Sequence, residues 1–374
     1  LAYLISNTSF LGVFIFEVLS FSVFLFFSYK LLLLYLDIEY GLISLPVLAA
    51  VVLNLKSFAQ GGSPEELCLP LVAISLYHLL AYFKEIYPKP MPYKWVFING
   101  FIAGCVLWIK FSLLGFWFGW MLSIFISLLV KNGFIRAIKT SLVFLSGMLI
   151  ATFPWVIYFG VHQSISEWIN AYFVINLTSY STTTSIISTV KSTVVGLLYL
   201  LKENPVAFGF LYFGMIIFII YDKFIANLLV KLSLVLCFLF LALSVFGGGR
   251  LYIYYLLIFS PFVIFGFIVV FTIIYEKFGE IKFKKLFLAF VLLSFLNAFL
   301  YSLAFQHNTY LLKIKKEDLV QYKFASIVNR IEDPSLLNYG VLDLGFYTTT
   351  GIIPNVQFFQ NQNIQYSSFP LVMD

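Results

Sequence analysis

Charged residues are scarce in this chain of 374 residues, in which Asp, Glu, Lys and Arg together make up 11%. An average soluble domain is roughly 25% charged. Hydrophobic residues reach 61%, and the mean hydropathy is +0.98. A composition with so little charge excludes an ordinary soluble domain and predicts an integral membrane protein.

Cysteine and the common catalytic motifs are also rare or absent. The three cysteines, Cys68, Cys105 and Cys237, lie within apolar runs. No disulfide framework is therefore expected. The sequence has no internal repeat, P-loop, dinucleotide-binding fingerprint or spacing typical of metal ligands, so the motif-bearing soluble enzyme classes are excluded.

Long apolar runs are what the sequence has in abundance. A helix needs about 20 residues to cross a ~30 Å hydrocarbon core, and only helices satisfy their backbone groups within one segment there. We predict an all-α polytopic membrane protein with about ten transmembrane helices. The predicted spans are 9–29, 41–58, 66–83, 95–109, 111–130, 140–160, 205–221, 229–246, 251–275 and 286–305.

Lysine and arginine are concentrated in every second loop. Because short cytoplasmic loops hold positive charge, this asymmetry predicts that the N-terminal end and the tail from residue 306 are extracytoplasmic, in a multi-pass protein of the cell membrane. It also accounts for the net charge of +6, so no nucleic-acid partner is expected. The cationic loops contain Lys30; Lys84, Lys89 and Lys94; Lys131, Arg136 and Lys139; Lys223 and Lys231; and Lys277, Lys282, Lys284 and Lys285.

The two ends of the chain suggest a piece of a longer protein. The chain begins at Leu1 without a signal peptide. We therefore expect at least one further helix and an outer loop upstream. The domain boundaries are predicted as 1–305 for the transmembrane part and 306–374 for a small, incomplete extracytoplasmic α/β domain. In that domain we predict an amphipathic helix at 316–331, a strand at 341–346 and a turn at 351–354.

The polar segment 60–66 is the first candidate site. Ser63 is predicted to cap a helix with Pro64 at its first position, and Glu66 three residues later completes a capping box. This structural explanation leaves Glu65 without a role. One of the two carboxylates, Glu65 or Glu66, is therefore also a candidate ligand-binding group.

Two cations at the predicted outer interface are the next candidates. Lys110 lies between two apolar runs, where it either extends its side chain to the interface or holds a phosphate. Arg250 follows three glycines and precedes Tyr252, Tyr254 and Tyr255; these are either ordinary interfacial residues or the mouth of a phosphate site.

The remaining polar features have structural interpretations. Glu17 and His78 are ionisable residues within predicted spans, but both lie towards the ends of their helices, so structural roles are favoured. In the outer loop 161–192, the spacing of Ile165, Trp168 and Tyr172 predicts a helix lying in the interface.

Segment 60–67, segment 100–110 and segment 247–261, with Arg250 and Pro261, together resemble the multipass glycosyltransferases of the GT-C fold. Within that fold the chain is similar to the bacterial branch related to protein O-mannosyltransferases and to the lipid A aminoarabinose transferase. One departure is Tyr254, because many relatives have a histidine before the tyrosine.

The resemblance implies an inverting enzyme that transfers a sugar from a polyprenyl-phosphate donor to an acceptor on the extracytoplasmic face. Lys110 and Arg250 would hold the phosphate, Glu65 would bind sugar hydroxyls or a divalent cation, and the three tyrosines would line a lipid passage. That divalent cation is the one cofactor considered. The family's catalytic aspartate lies in the first outer loop, which would precede Leu1, so the fragment alone is expected to be inactive.

Two other functions stay open at this stage. A transporter or flippase for a lipid-linked sugar would also recognise a polyprenyl phosphate, but midplane sites and repeats are typical of transporters. A polymerase or ligase acting on lipid-linked glycans would share the outer-face chemistry. Neither the sugar nor the acceptor can be read from the sequence.

Overall fold

The computed structural model describes residues 2–6, 9–59, 61–180, 182–183, 185–281, 284–338 and 345–354. These residues form helices and connecting turns. The helices are α1 Ala2–Ile5, α2 Leu11–Leu33, α3 Ile38–Leu53, α4 Pro64–Ala81, α5 Tyr93–Lys110, α6 Gly115–Asn132, α7 Phe134–Val161, α8 Ile165–Ile169, α9 Ile186–Glu203, α10 Pro205–Ile220, α11 Leu228–Phe246, α12 Ile264–Phe278, α13 Lys284–Phe305, α14 Val320–Val328 and α15 Phe346–Thr350.

The membrane character predicted from composition is visible in these helices. In the described part of the chain, eight helical segments are long and apolar enough to cross a membrane, and the shorter apolar helices α3 and α10 lie among them. α4 continues through a π-helical turn to Ile86, and a 3₁₀ segment, Ile253–Val263, leads into α12. These ten segments overlap the ten predicted spans, with bounds that differ by up to six residues, and two of them are below the usual crossing length.

Consecutive apolar segments run in opposite directions through the bundle, so alternate loops lie at the same end of it. Ser294 at the middle of α13 donates to the carbonyl of Ile43 in α3, and Asn54 contacts Ser302 further along both helices. The C-terminal end of α5 meets the N-terminal end of α4, because Lys110 pairs with Glu65. We call the end of the bundle that contains Lys110 the cavity end.

Helix α9 does not follow this alternation. Near its start, the Ser192 hydroxyl donates to the carbonyl of Phe246 at the C-terminus of α11, 2.7 Å away. At its other end, Glu203 pairs with Lys56 in the loop between α3 and α4. Because both partners lie at the cavity end, α9 lies across that end of the bundle rather than through it.

Helices α5 and α7 pack unusually closely through glycine. A Cβ atom on Gly100 would lie 2.0 Å from the Phe144 carbonyl oxygen, and one on Gly104 would lie 2.7 Å from the Ala151 Cβ. Small residues permit such backbone contact between apolar helices. This packing fixes the position of Lys110, the last residue of α5.

The tail differs from the predicted α/β domain. The amphipathic helix is present in shorter form as α14, whose Phe324 ring packs on Phe346. Phe346, predicted to end a strand, begins helix α15 instead, and residues 341–344 lie outside the described residues. No strand occurs in the described part of the tail. Short apolar runs suit a strand and a one-sided helix equally, which is why the prediction was wrong at Phe346.

Candidate functional site

A cavity of about 460 Å³ lies at the cavity end, and both predicted phosphate-binding cations line it. Lys110 comes from the end of α5, and Arg250 follows the glycine turn after α11. Tyr255 of the following 3₁₀ segment lines it too. The helical segment after α8, the turn Phe111–Leu113, the end of α11 and the glycine turn also contribute to the wall.

The wall beside Lys110 is fixed by Tyr172. Its hydroxyl donates to the Leu107 carbonyl at 2.5 Å and accepts from the Phe111 amide at 3.2 Å. These bonds satisfy backbone groups that a helix end leaves free. Burial raises the pKa of Tyr172 to about 12, so the hydroxyl keeps its proton. Sequence reasoning placed Tyr172 in an interfacial helix but did not predict this contact with α5.

Stacked aromatic rings attach the same segment to the bundle. Trp168 lies 4.4 Å from Trp108 of α5 and 4.6 Å from Phe159 of α7, measured between ring centres. The Trp108 indole N–H donates to the Thr152 hydroxyl at 2.9 Å. The helix predicted for this loop is therefore present, as α8 and the π-helical turns that follow, and it covers one side of the cavity.

The three-glycine turn forms the opposite side of the cavity. The Thr182 amide donates to the Gly248 carbonyl at 2.9 Å, and the Thr183 hydroxyl donates to the Gly247 carbonyl at 2.8 Å. Gly249 has φ +83°, and a Cβ there would lie 2.1 Å from the Thr182 hydroxyl oxygen. Only glycine tolerates this conformation at such close approach. The turn thereby brings Arg250 to the cavity wall.

Lys110 is held by two kinds of partner. Its ammonium forms an ion pair with the Glu65 carboxylate, which is 0% exposed. It also lies 3.8 Å from the centre of the Tyr255 ring and 5.1 Å from that of Tyr254. A cation over an aromatic face is attracted by the electron density of the ring. Lys110 is therefore a fixed, partly neutralised cation at the cavity wall.

Glu66 does not line this cavity. Its amide donates to the Ser63 hydroxyl at 3.2 Å, which confirms Ser63 as the predicted cap. On the α2 side, Glu17 accepts from the Gly62 amide at 2.6 Å. Glu17 thus holds the glycine loop in place, in keeping with its predicted structural role. Gln60 of the same predicted loop lies outside the described residues.

The other predicted aromatic residues border the cavity without lining it. The rings of Tyr252 and Tyr254 are nearly parallel, with centres 5.6 Å apart, and Tyr254 lies perpendicular to Tyr255. His78 belongs to a separate cluster, where it stacks on Trp95 and contacts the Asn99 amide at 3.0 Å. That packing accounts for His78 without a ligand.

The divalent cation considered for Glu65 does not fit the arrangement. One oxygen of Glu65 is paired with Lys110, and an ammonium occupies the position that a metal would need. Among the described residues no group of three or more His, Cys, Asp or Glu side chains is arranged to hold a metal ion. We therefore derive no step through a metal.

Comparison with known proteins adds no assignment, because no family model, no curated protein and no solved structure matches the chain. The resemblance to GT-C glycosyltransferases therefore stays a prediction from the sequence.

Proposed function

We propose that the protein is an inverting glycosyltransferase of the membrane that takes a sugar from a polyprenyl-phosphate donor at the cavity end. The observation that carries the proposal is that Lys110 and Arg250, far apart in sequence, line one cavity. Two cationic residues that line one recess of an apolar bundle suit an anionic headgroup on a lipid chain.

The lining of the cavity supports an amphiphilic ligand. Ile109, Phe111, Leu177 and Val245 contribute apolar surface, while Lys110 and Arg250 contribute the charge. Lipid-binding recesses need both, because the chain prefers apolar contacts and the phosphate needs donors. A free sugar phosphate has no lipid chain that could contact these apolar residues.

The charges favour a monophosphate donor over a diphosphate donor. Since Glu65 neutralises Lys110, the two cations bring at most one net positive charge to the wall. A sugar-linked monophosphate is a diester with one negative charge, whereas a sugar-linked diphosphate carries two. The net charge of the two cations therefore matches the charge of the monophosphate more closely than that of the diphosphate.

In the proposed reaction, the bond between the sugar's anomeric carbon and the phosphate oxygen breaks, and that oxygen keeps the electron pair. The acceptor oxygen attacks from the opposite face and loses its proton to a base. Arg250 and Lys110 stabilise the charge that develops on the departing phosphate. We assign the base to none of the described residues.

The test compares two lipids that differ only in the headgroup. Purified protein in lipid nanodiscs is titrated with undecaprenyl phosphate or with undecaprenol, and the midpoint of thermal unfolding is followed. We expect the phosphate, but not the alcohol, to raise the midpoint, because ligands that bind the folded state stabilise it. Equal shifts with both lipids would overturn the proposal.

A matched pair of variants assigns the effect to the cavity. Arg250→Gln removes the guanidinium and is expected to abolish the difference between the two lipids. Lys191→Gln removes an exposed cation from α9, at the same end of the bundle but outside the cavity, and is expected to leave the difference unchanged. If Arg250→Gln and Lys191→Gln reduce the difference between the two lipids equally, the phosphate is attracted by the charge of the surface as a whole and not by the cavity.

A further inference from the structure

The buried carboxylate of Glu65 is not needed to begin its helix. Ser63 caps α4 and Pro64 occupies its first position, so the start of the helix is already satisfied. Glu65 is 0% exposed and lies behind Lys110, with Oε1 on the ammonium and Oε2 without a hydrogen-bond partner. A buried ion pair is weak evidence for stability, because desolvation offsets the attraction. The pair therefore calls for another explanation.

The position of the pair suggests one. Lys110 lines the cavity, whereas Glu65 does not. The carboxylate of Glu65 thus acts on an anion in the cavity only indirectly, through its ion pair with the ammonium of Lys110. Its effect is to subtract one unit of positive charge from the wall without offering the ligand a contact.

We infer that Glu65 sets the charge preference of the cavity, so that it holds the singly charged donor and releases the doubly charged product. This inference rests on the proposed function. Transfer converts a phosphate diester with one negative charge into a polyprenyl phosphate monoester, which carries about −1.5 to −2 at neutral pH. With Lys110 neutralised, the added product charge gains little attraction, and the product leaves more readily.

The prediction concerns a ratio of affinities. Undecaprenyl methyl phosphate is a diester that stands for the donor, and undecaprenyl phosphate is the monoester product. Glu65→Gln leaves the shape nearly unchanged and restores one positive charge to the wall. The affinity for the monoester should then rise relative to that for the diester by about tenfold, the order of one screened charge interaction.

Two companion variants keep the test decisive. Glu65→Asp retains the charge, so its affinity ratio should match that of the unmodified protein. The double variant Glu65→Gln with Lys110→Arg keeps the cation charged when its carboxylate partner is removed, because a guanidinium does not deprotonate in proteins. This double variant is compared with Lys110→Arg alone. Each variant is first checked for a single symmetric peak in gel filtration.

The outcomes separate this inference from the proposed function. A monoester-to-diester ratio that rises in Glu65→Gln, or in the double variant relative to Lys110→Arg, supports it. A ratio that stays within about twofold in both comparisons overturns it, since an added charge must favour the more charged lipid. If the unmodified protein binds neither phosphate better than undecaprenol, the proposed function itself fails.

Discussion

The ammonium of Lys110 lies 3.8 Å from the centre of the Tyr255 ring. The two residues belong to segments that are far apart in sequence, and Glu65 of a third segment pairs with the same ammonium. Three separate elements therefore meet at the ammonium of Lys110, beside the cavity.

The first prediction concerns the Glu65 carboxylate when the cation that pairs with it is removed. Lys110→Met removes the ammonium and leaves the Glu65 carboxylate buried without its cation, which is expected to cost about 3 kcal/mol of folding stability. Adding Glu65→Gln to that variant removes the stranded charge and should recover most of the loss. Unfolding midpoints of the two variants in nanodiscs make the comparison. A double variant no more stable than Lys110→Met would contradict the buried pairing.

The second prediction concerns the contact between α5 and α7. Gly100→Ala places a methyl group 2.0 Å from the Phe144 carbonyl oxygen, so the helices must separate, at a cost of about 1–3 kcal/mol. Gly209→Ala in α10 is the matched control, because a Cβ there meets nothing within 4 Å. We expect a lower unfolding midpoint for Gly100→Ala only. Similar midpoints for the two variants would show that α5 and α7 do not pack in this way.

The third prediction uses the pH dependence of Tyr172. Tyr172→Phe loses the bonds to Leu107 and Phe111 and should lower stability by about 1 kcal/mol at pH 8. Because burial raises the pKa of Tyr172 from 10.0 to about 12, the advantage of the tyrosine is fully present below pH 10. It is lost as the pH rises through about 12, where the folded protein loses the phenol proton. A stability difference that vanishes already below pH 10 would contradict the buried position.

The membrane helices could be predicted from the sequence because lipid imposes one simple requirement, a long apolar run that is helical. The requirement for a long apolar run did not predict helix α9. Its three charged residues, Lys191, Lys202 and Glu203, interrupt the apolar pattern, and it lies across the bundle with Glu203 on Lys56. A search for long apolar runs passes over such a helix, because its apolar residues recur with a period of about 3.6 residues instead.

The candidate site could be predicted only in part. Lys110 and Arg250 could be identified because each is a cation at the end of an apolar run, where a charge calls for a structural or functional explanation. The pairing of Lys110 with Glu65 could not be derived, since it depends on how α4 and α5 pack. Glu66 was grouped with Glu65 by sequence, but adjacent residues on a helix face different directions, and only Glu65 reaches Lys110.

Photo-crosslinking with an undecaprenyl phosphate that carries a diazirine beside the phosphate locates the bound lipid on the protein. If the cavity binds the lipid phosphate, we expect crosslinks in peptides that contain residues 107–112 or 244–255. Excess undecaprenyl phosphate, but not undecaprenol, should suppress them. Crosslinks confined to the opposite end of the bundle, around residues 33–40 and 274–281, would contradict binding of the lipid phosphate in the cavity.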